Sequence, residues 1–318
     1  MHRRERSPEH HTFASRKMFK TSTTKKYGAA NDFVIDWGWG RSTAKGKIDL
    51  GEGNNFLLGF GGNKEIKSGR GDDFIYLIGG DQAVESSGGD NRVYTSYGDD
   101  RILLGDGDDY VNSGSGDDLI STFGGNDVIK SGEGDDTIFA GDGDDDVSAG
   151  LGNDYIVVGS GHNIARGGHG DDVITGGKAN GNNTFYGGTG DDKLLGGAAD
   201  DYLNGGQDDD YLEGKGGMNT YVGGSGADTF VLSQGSYSFH HVTDFDQGEG
   251  DKLLLGQEGA NNNFDHFYAF AYQLSEGKST LIVTGEMGDK ELMAQIDSST
   301  MSTHQMKSMA LEMNSQFG

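Results

Sequence analysis

The segment "GSGDDLISTFGGNDVIKSGEGDDTIFAGDGDDDVSAGLGNDYI", Gly114 to Ile156, decides the fold. Glycines alternate with aspartates along it, and an aliphatic residue returns at every ninth position: Ile120, Ile129, Ile138, Val147 and Ile156. The same nine-residue frame extends outward without slippage from Leu50 to Thr175. Two extra residues enter the next unit, Gly176 to Tyr186, and the frame resumes at Gly187 and runs to Val231. The unit reads glycine-glycine-x-glycine-x-aspartate-x-apolar-x, most cleanly in "SGEGDDTIF" (131–139) and "GGHGDDVIT" (167–175). Its eighth position is a large apolar residue from Leu57 to Phe230, broken only at Ala165.

A helix needs apolar residues every three or four positions, which this pattern does not supply. One apolar residue per nine, flanked by glycines, suits a three-residue strand followed by a six-residue turn. Such a unit cannot bury its apolar side chain alone, but stacked units share one narrow core. The expectation is an all-β solenoid with two units per coil, one strand in each of two facing parallel sheets. Like turns then recur every 18 residues, about 4.8 Å apart. A core this thin does not offset the ordering entropy of so glycine-rich a backbone, so something else must hold the turns.

The charge points to what that is. The 318 residues carry a formal net charge of −26, with 58 glycines, one proline and no cysteine. Collagen is excluded by the missing three-residue period. The absence of cysteine excludes a disulfide framework and any thiolate metal site, and fits a secreted bacterial protein. Between Thr95 and Val157 sixteen acids face only Arg101 and Lys130. A lone aspartate is an ordinary turn residue, but the sixth position is aspartate seven times running, from Asp100 to Asp154. Carboxylates stacked at strand spacing repel and raise one another's pKa, so such a column is either unfolded or neutralised by cations. Paired carboxylates with turn carbonyls make an all-oxygen cage, which suits Ca²⁺ better than Mg²⁺.

The nonapeptide resembles that of the repeats-in-toxin (RTX), hemolysin-type calcium-binding family over about residues 50–231. The resemblance implies a parallel β-roll, a right-handed β-solenoid with Ca²⁺ between adjacent coils, and export through a type I secretion apparatus to the extracellular space. Carried over residue by residue, it implies as metal ligands Asp73, Asp100, Asp109, Asp118, Asp127, Asp136, Asp145, Asp154, Asp172, Asp192, Asp201, Asp210 and Asp228. Alternate units divide these between two edges, provided the insertion bulges out. One column reads Lys64, Gln82, then aspartate at every step from Asp100 to Asp228. The other reads Asn55, Asp73, Asn91, Asp109, Asp127, Asp145, Asn163, Asn183, Asp201 and Asn219. A nearly unbroken calcium file is expected on the first edge, with the second filled mainly between Asp109 and Asp145. Units before about Tyr94 are expected to be largely metal-free, the Lys64 ammonium standing in for a cation.

Three regions follow: a basic, disordered arm (1–30), the roll (31–231), and a C-terminal capping and secretion-signal region (232–318). The arm is charged without an apolar stretch, so it is not a signal peptide of the usual kind; a basic arm can instead contact an anionic surface or the acidic body. After Val231, "YSFHHVTDFDQGEGDKLLLG" (237–256) reads strand, acidic turn, strand, similar to the segment after the roll in the serralysin group. Further strands are expected at 267–274, 279–285 and 291–296, forming a small antiparallel cap. Met306, Met309, Ala310 and Met313 have helical spacing, for a terminal helix over 303–313 or part of an uncleaved secretion signal.

Catalytic signals are missing. There is no His-Glu-x-x-His motif, and "SGSGD" (113–117) falls inside a repeat rather than at a nucleophile elbow. His240 and His241 point to opposite faces of a strand and read as structural or exposed, and His162 and His169 lie in turns. The acidity argues against nucleic-acid binding, and no apolar run reaches the length of a membrane span. Position three is too mixed for an ice-binding array. The expected function is that of a secreted, non-enzymatic calcium-binding β-roll, a structural or interaction module that folds outside the cell. The alternative is the C-terminal part of a larger toxin, protease or polysaccharide-modifying enzyme. The start at Met1 and the basic lead-in favour a complete small protein; no surface or polysaccharide partner can be read.

Overall fold

The computed structural model describes residues 25–37, 46–177, 181–233, 238–256, 266–273, 279–287 and 290–298, together with Ser302, Gln305 and Ser308. From Lys25–Lys26 to Lys252–Gly256 successive strands alternate between two sheets, which among the described residues have thirteen and fifteen strands. Strands two apart in sequence pair in parallel, as Leu119–Ser121 does with Thr137–Asp142 and Tyr110–Ser115 with Val128–Glu133. This is a β-solenoid in which each coil contributes one strand per sheet, as the 18-residue recurrence requires.

The eighth-position column forms the core. Every member from Leu57 to Phe230 is fully buried, Ala165 included. Ala165 stands in register with Phe185, so the smallest residue of the column neighbours one of the largest. Position one adds a second inward row: Leu50, Leu77, Leu104, Ala140, Ala149 and Val158 are buried there, as are the hydroxyl residues Ser113, Thr122 and Ser131. The turns pair more extensively than a three-residue strand allows. Gly114 and Ser115 align with Gly132 and Glu133, so many strands of the larger sheet span six residues. Glycine is needed where the coils approach most closely: Gly132 has φ 119°, and a Cβ on it would run into the carbonyl oxygen of Gly114.

The two-residue insertion leaves the columns intact, because Ile164–His169 pairs directly with Thr184–Thr189 across it. The ends differ from expectation. Lys25 and Lys26, assigned to a disordered arm, form a short parallel strand against Ile48 and Asp49; residues 1–24 lie outside the described residues. Phe33–Trp37 begins the larger sheet, with Phe33 and Trp37 exposed and stacked on Phe56 and Phe60. At the other end the roll does not stop at Val231. Ser238–Val242 and Lys252–Gly256 continue the two sheets in parallel, although the nonapeptide pattern has gone. The expected antiparallel strands follow as His266–Gln273, Ser279–Met287 and Lys290–Ser298, which extend the larger sheet beyond Ser238–Val242. The terminal helix falls largely outside the described residues; Gln305 and Ser308 are helical and exposed. No described helix is long and apolar enough to cross a membrane.

Gly132→Ala is expected to destabilise the folded roll by about 2 kcal/mol or more, because strain and backbone overlap coincide there. Gly46→Ala, where a Cβ meets open space, should change stability by less than about 0.5 kcal/mol. Chemical denaturation at saturating calcium separates the two.

Candidate metal centre

Turn geometry places the sixth side chain inside the coil stack. Position seven is the first strand residue and faces outward, so position six faces in, next to position one. All thirteen predicted ligands are buried. They form the two expected columns, each held by one repeated bond. The Asp100 amide donates to Asp118 Oδ1 at 2.8 Å, Asp118 to Asp136 at 2.8 Å, and Asp136 to Asp154 at 2.8 Å. The column crosses the insertion, with the Asp172 amide on Asp192 Oδ1 at 2.8 Å. On the opposite edge the Asp109 amide donates to Asp127 Oδ1, and Asp127 to Asp145.

The second carboxylate oxygen divides the thirteen. Oδ2 is buried without a hydrogen-bond partner in eleven of them: Asp100, Asp109, Asp118, Asp127, Asp136, Asp145, Asp154, Asp172, Asp192, Asp210 and Asp228. The other two are satisfied by the protein. Asp73 accepts from the Ser68 hydroxyl and from Asn55, and Asp201 Oδ2 accepts from the Gly197 amide at 2.6 Å. An isolated buried carboxylate oxygen costs several kcal/mol unless compensated, so eleven repeated orphans point to a counter-charge.

Turns lacking aspartate show what surrounds that oxygen. Asn55 and Asn91 donate Nδ2 to the carbonyls of Gly53 and Gly89, both at 2.7 Å. Gln82 Nε2 donates to Gly79 and Gly80 at 2.6 and 2.7 Å and across the coils to Gly62 at 3.2 Å. Buried Lys64 sends its ammonium to Phe60 at 3.1 Å and Gly61 at 2.5 Å. The carbonyls of positions two to four are therefore within reach of the sixth side chain. Where that side chain is carboxylate it carries no N–H, and acceptor faces acceptors. Position one leaves room: a Cβ on Gly167 would run into Asp172 Oδ2. This donor set, oxygen only and negatively charged, fits a hard divalent cation.

Burial also holds the carboxyls above their ordinary pKa. Asp109, Asp118, Asp145, Asp154, Asp172 and Asp192 are pushed to about 7 and Asp210 to about 8, chiefly by desolvation, with neighbouring carboxylates adding to it. Asp100, beside Thr95, rises to about 6, again through desolvation. Burial also lowers the Lys64 pKa, against the attraction of Asp36.

Two features escaped the sequence reading. Asp251 extends the first column, with the Asp228 amide on its Oδ1 at 3.0 Å. It sits 23 residues after Asp228 rather than 18, outside any fixed frame. The fifth position forms a separate, exposed ladder running the other way: the Asp117 amide donates to Asp99 Oδ1 at 3.1 Å and Asp135 to Asp117 at 3.0 Å. The Asp-Asp doublets were its visible signal. His240 is buried, its Nδ1 at 3.1 Å from the Tyr221 hydroxyl, and His241 Nε2 lies 2.9 Å from Asp297.

The family model of the RTX calcium-binding nonapeptide repeat, in four copies, matches residues 47–75, 85–120, 121–156, 148–180, 179–212 and 213–236. Together these cover more than half of the chain. The chain belongs to this family. Its RTX repeats bind calcium, and several ions are taken up by one roll. No curated protein matches the chain.

Raised carboxyl pKa values give the metal-free roll a definite pH dependence. Between about pH 4 and pH 7 the folded state retains protons that the unfolded chain has released. Stability therefore falls as pH rises through that window. In calcium-free buffer, circular dichroism should show more β-structure at pH 5 than at pH 8, and calcium added at pH 7 should release protons. A metal-free roll more stable at pH 8 than at pH 5 would contradict the assignment.

Proposed function

We propose that this calcium-binding β-roll is a secreted module that folds on meeting calcium outside the cell, after export through a type I secretion apparatus. Its role is structural or interactive, without catalysis of its own. The eleven aspartates with an unpartnered Oδ2 are its calcium ligands, together with the carbonyls of their turns. The facing of carboxylate and carbonyl oxygens inside these eleven turns carries this reading, because among the described residues no cation reaches the unpartnered Oδ2.

The chain's own residues set the conditions. In calcium-poor surroundings the ionised columns repel, and the glycine-rich backbone between them gains entropy by unfolding. That state suits passage through a narrow channel. Bound calcium supplies the positive charge that lets the buried carboxylates ionise in the closed coil. The Oδ1 ladder fixes the coil-to-coil register, and position one excludes water from the inner side. Extracellular calcium modules work at about 10⁻⁴–10⁻³ M, a range that separates cytosol from the exterior, and binding adds to folding stability by linkage.

A calcium titration of the full chain, followed by circular dichroism and by an anomalous-scattering metal count, tests this. Asp154→Ala should lower the count and raise the calcium midpoint on the order of tenfold, as a site losing a charged ligand does. Asp73→Ala, whose carboxylate is satisfied by Ser68 and Asn55, should leave the count unchanged. Full β-structure over 95–231 after exhaustive chelation would end the proposal.

A further inference from the structure

Calcium dependence is unevenly distributed along the roll. From Asn55 to Asn91 the turns are closed by side-chain donors on both edges: Asn55 and Asn91 on one, Lys64 and Gln82 on the other. The one acid at the sixth position in this stretch, Asp73, has both oxygens hydrogen-bonded. The amide closure recurs at Asn163 and Asn219, but there the opposite edge carries orphaned carboxylates, Asp154 and Asp172 or Asp210 and Asp228. Among the described residues, orphaned aspartate oxygens are confined to Asp100 onward, apart from Asp32 in the first turn.

Two independent features coincide with this stretch. Between Lys25 and Tyr94 nine cationic residues face ten acidic ones, against two and sixteen between Thr95 and Val157. Ion pairs cross its coils, Lys47–Glu65 and Lys67–Glu85 at 2.7 Å each. Its outer face carries a stack of aromatic rings, Phe33, Phe56 and Phe74, with centroids 4.9–5.0 Å apart and planes within 7°, continued by Tyr94 and Tyr110. Such pairs add about 0.5–1.5 kcal/mol each beyond area burial. The acidic coils lack that reinforcement at this density.

We infer that the coils up to Tyr94 are a calcium-independent clasp, in which Lys64, Gln82, Asn55 and Asn91 take the place of metal. Its contrast with the acidic coils rests on the calcium reading above.

Hydrogen–deuterium exchange of the full chain, resolved by peptide, tests this. In chelator, amides across 56–94 should exchange at least about tenfold more slowly than an unfolded chain, while 100–231 exchange as unfolded; calcium should then protect 100–231. If 56–94 is unprotected in chelator while calcium still protects the whole roll, the clasp is refuted and the calcium reading stands. If 100–231 is protected in chelator as strongly as 56–94, the contrast between clasp and acidic coils fails and so does the calcium reading. Lys64→Met with Gln82→Met should abolish the protection of 56–94 in chelator; its persistence refutes the role of these side chains.

Discussion

Inside each acidic turn, oxygen faces oxygen. The carbonyls of positions two to four lie within reach of the position-six carboxylate, whose Oδ2 is buried without a hydrogen-bond partner in eleven turns. Among the described residues none supplies the missing positive charge at the eleven aspartates with an unpartnered Oδ2, whereas Asn55, Lys64, Gln82 and Asn91 supply an N–H at the equivalent place. The rest of the molecule is organised around that contrast. Positive φ lets Gly132 bring its turn close to the preceding coil at Gly114, and the narrow aliphatic column is fully buried between the sheets. Neither feature is strong enough alone: one large apolar side chain per nine residues is a thin core for so flexible a backbone.

The hydrogen-bond ladders explain why aspartate, rather than another acid, suits position six. One oxygen accepts the amide of the preceding coil and the other stays directed at the turn interior, a division of labour that needs a short side chain held in one orientation. The neighbouring fifth-position residue performs a related task in the reverse direction from the exposed side. Each Asp-Asp doublet therefore closes two backbone amides on two different coils. With these aspartates as the proposed calcium ligands, metal binding and coil register are coupled through the same carboxylate. Neighbouring coils are tied to one another because they share Oδ1 contacts.

Much of the site was legible because its spacing is translational. A fixed period of nine assigns every unit to an edge without knowledge of the third dimension, and the structure places Lys64, Gln82 and the acids from Asp100 in one column as that period demands. Legibility ended where the period did. Asp251 joins the same column after a 23-residue coil, and Ser238–Val242 and Lys252–Gly256 continue the sheets without glycine-rich turns. Lys25 and Lys26 form a strand although their composition resembles that of a charged tail, because pairing with Ile48 and Asp49 outweighs local preference.

By itself the sequence determined the coil length, the identity of the inward column, the edge to which each acid belongs and the need for a hard cation. All of these follow from repetition, since identical units stacked on themselves must align. Only the tertiary structure decided which carboxylates are left with an unanswered oxygen. Asp73 and Asp201 are indistinguishable from the other eleven by position, yet Ser68 and the Gly197 amide reach them. Satisfaction of a buried oxygen depends on what the fold brings within about 3 Å, and that neighbourhood is not written in the period.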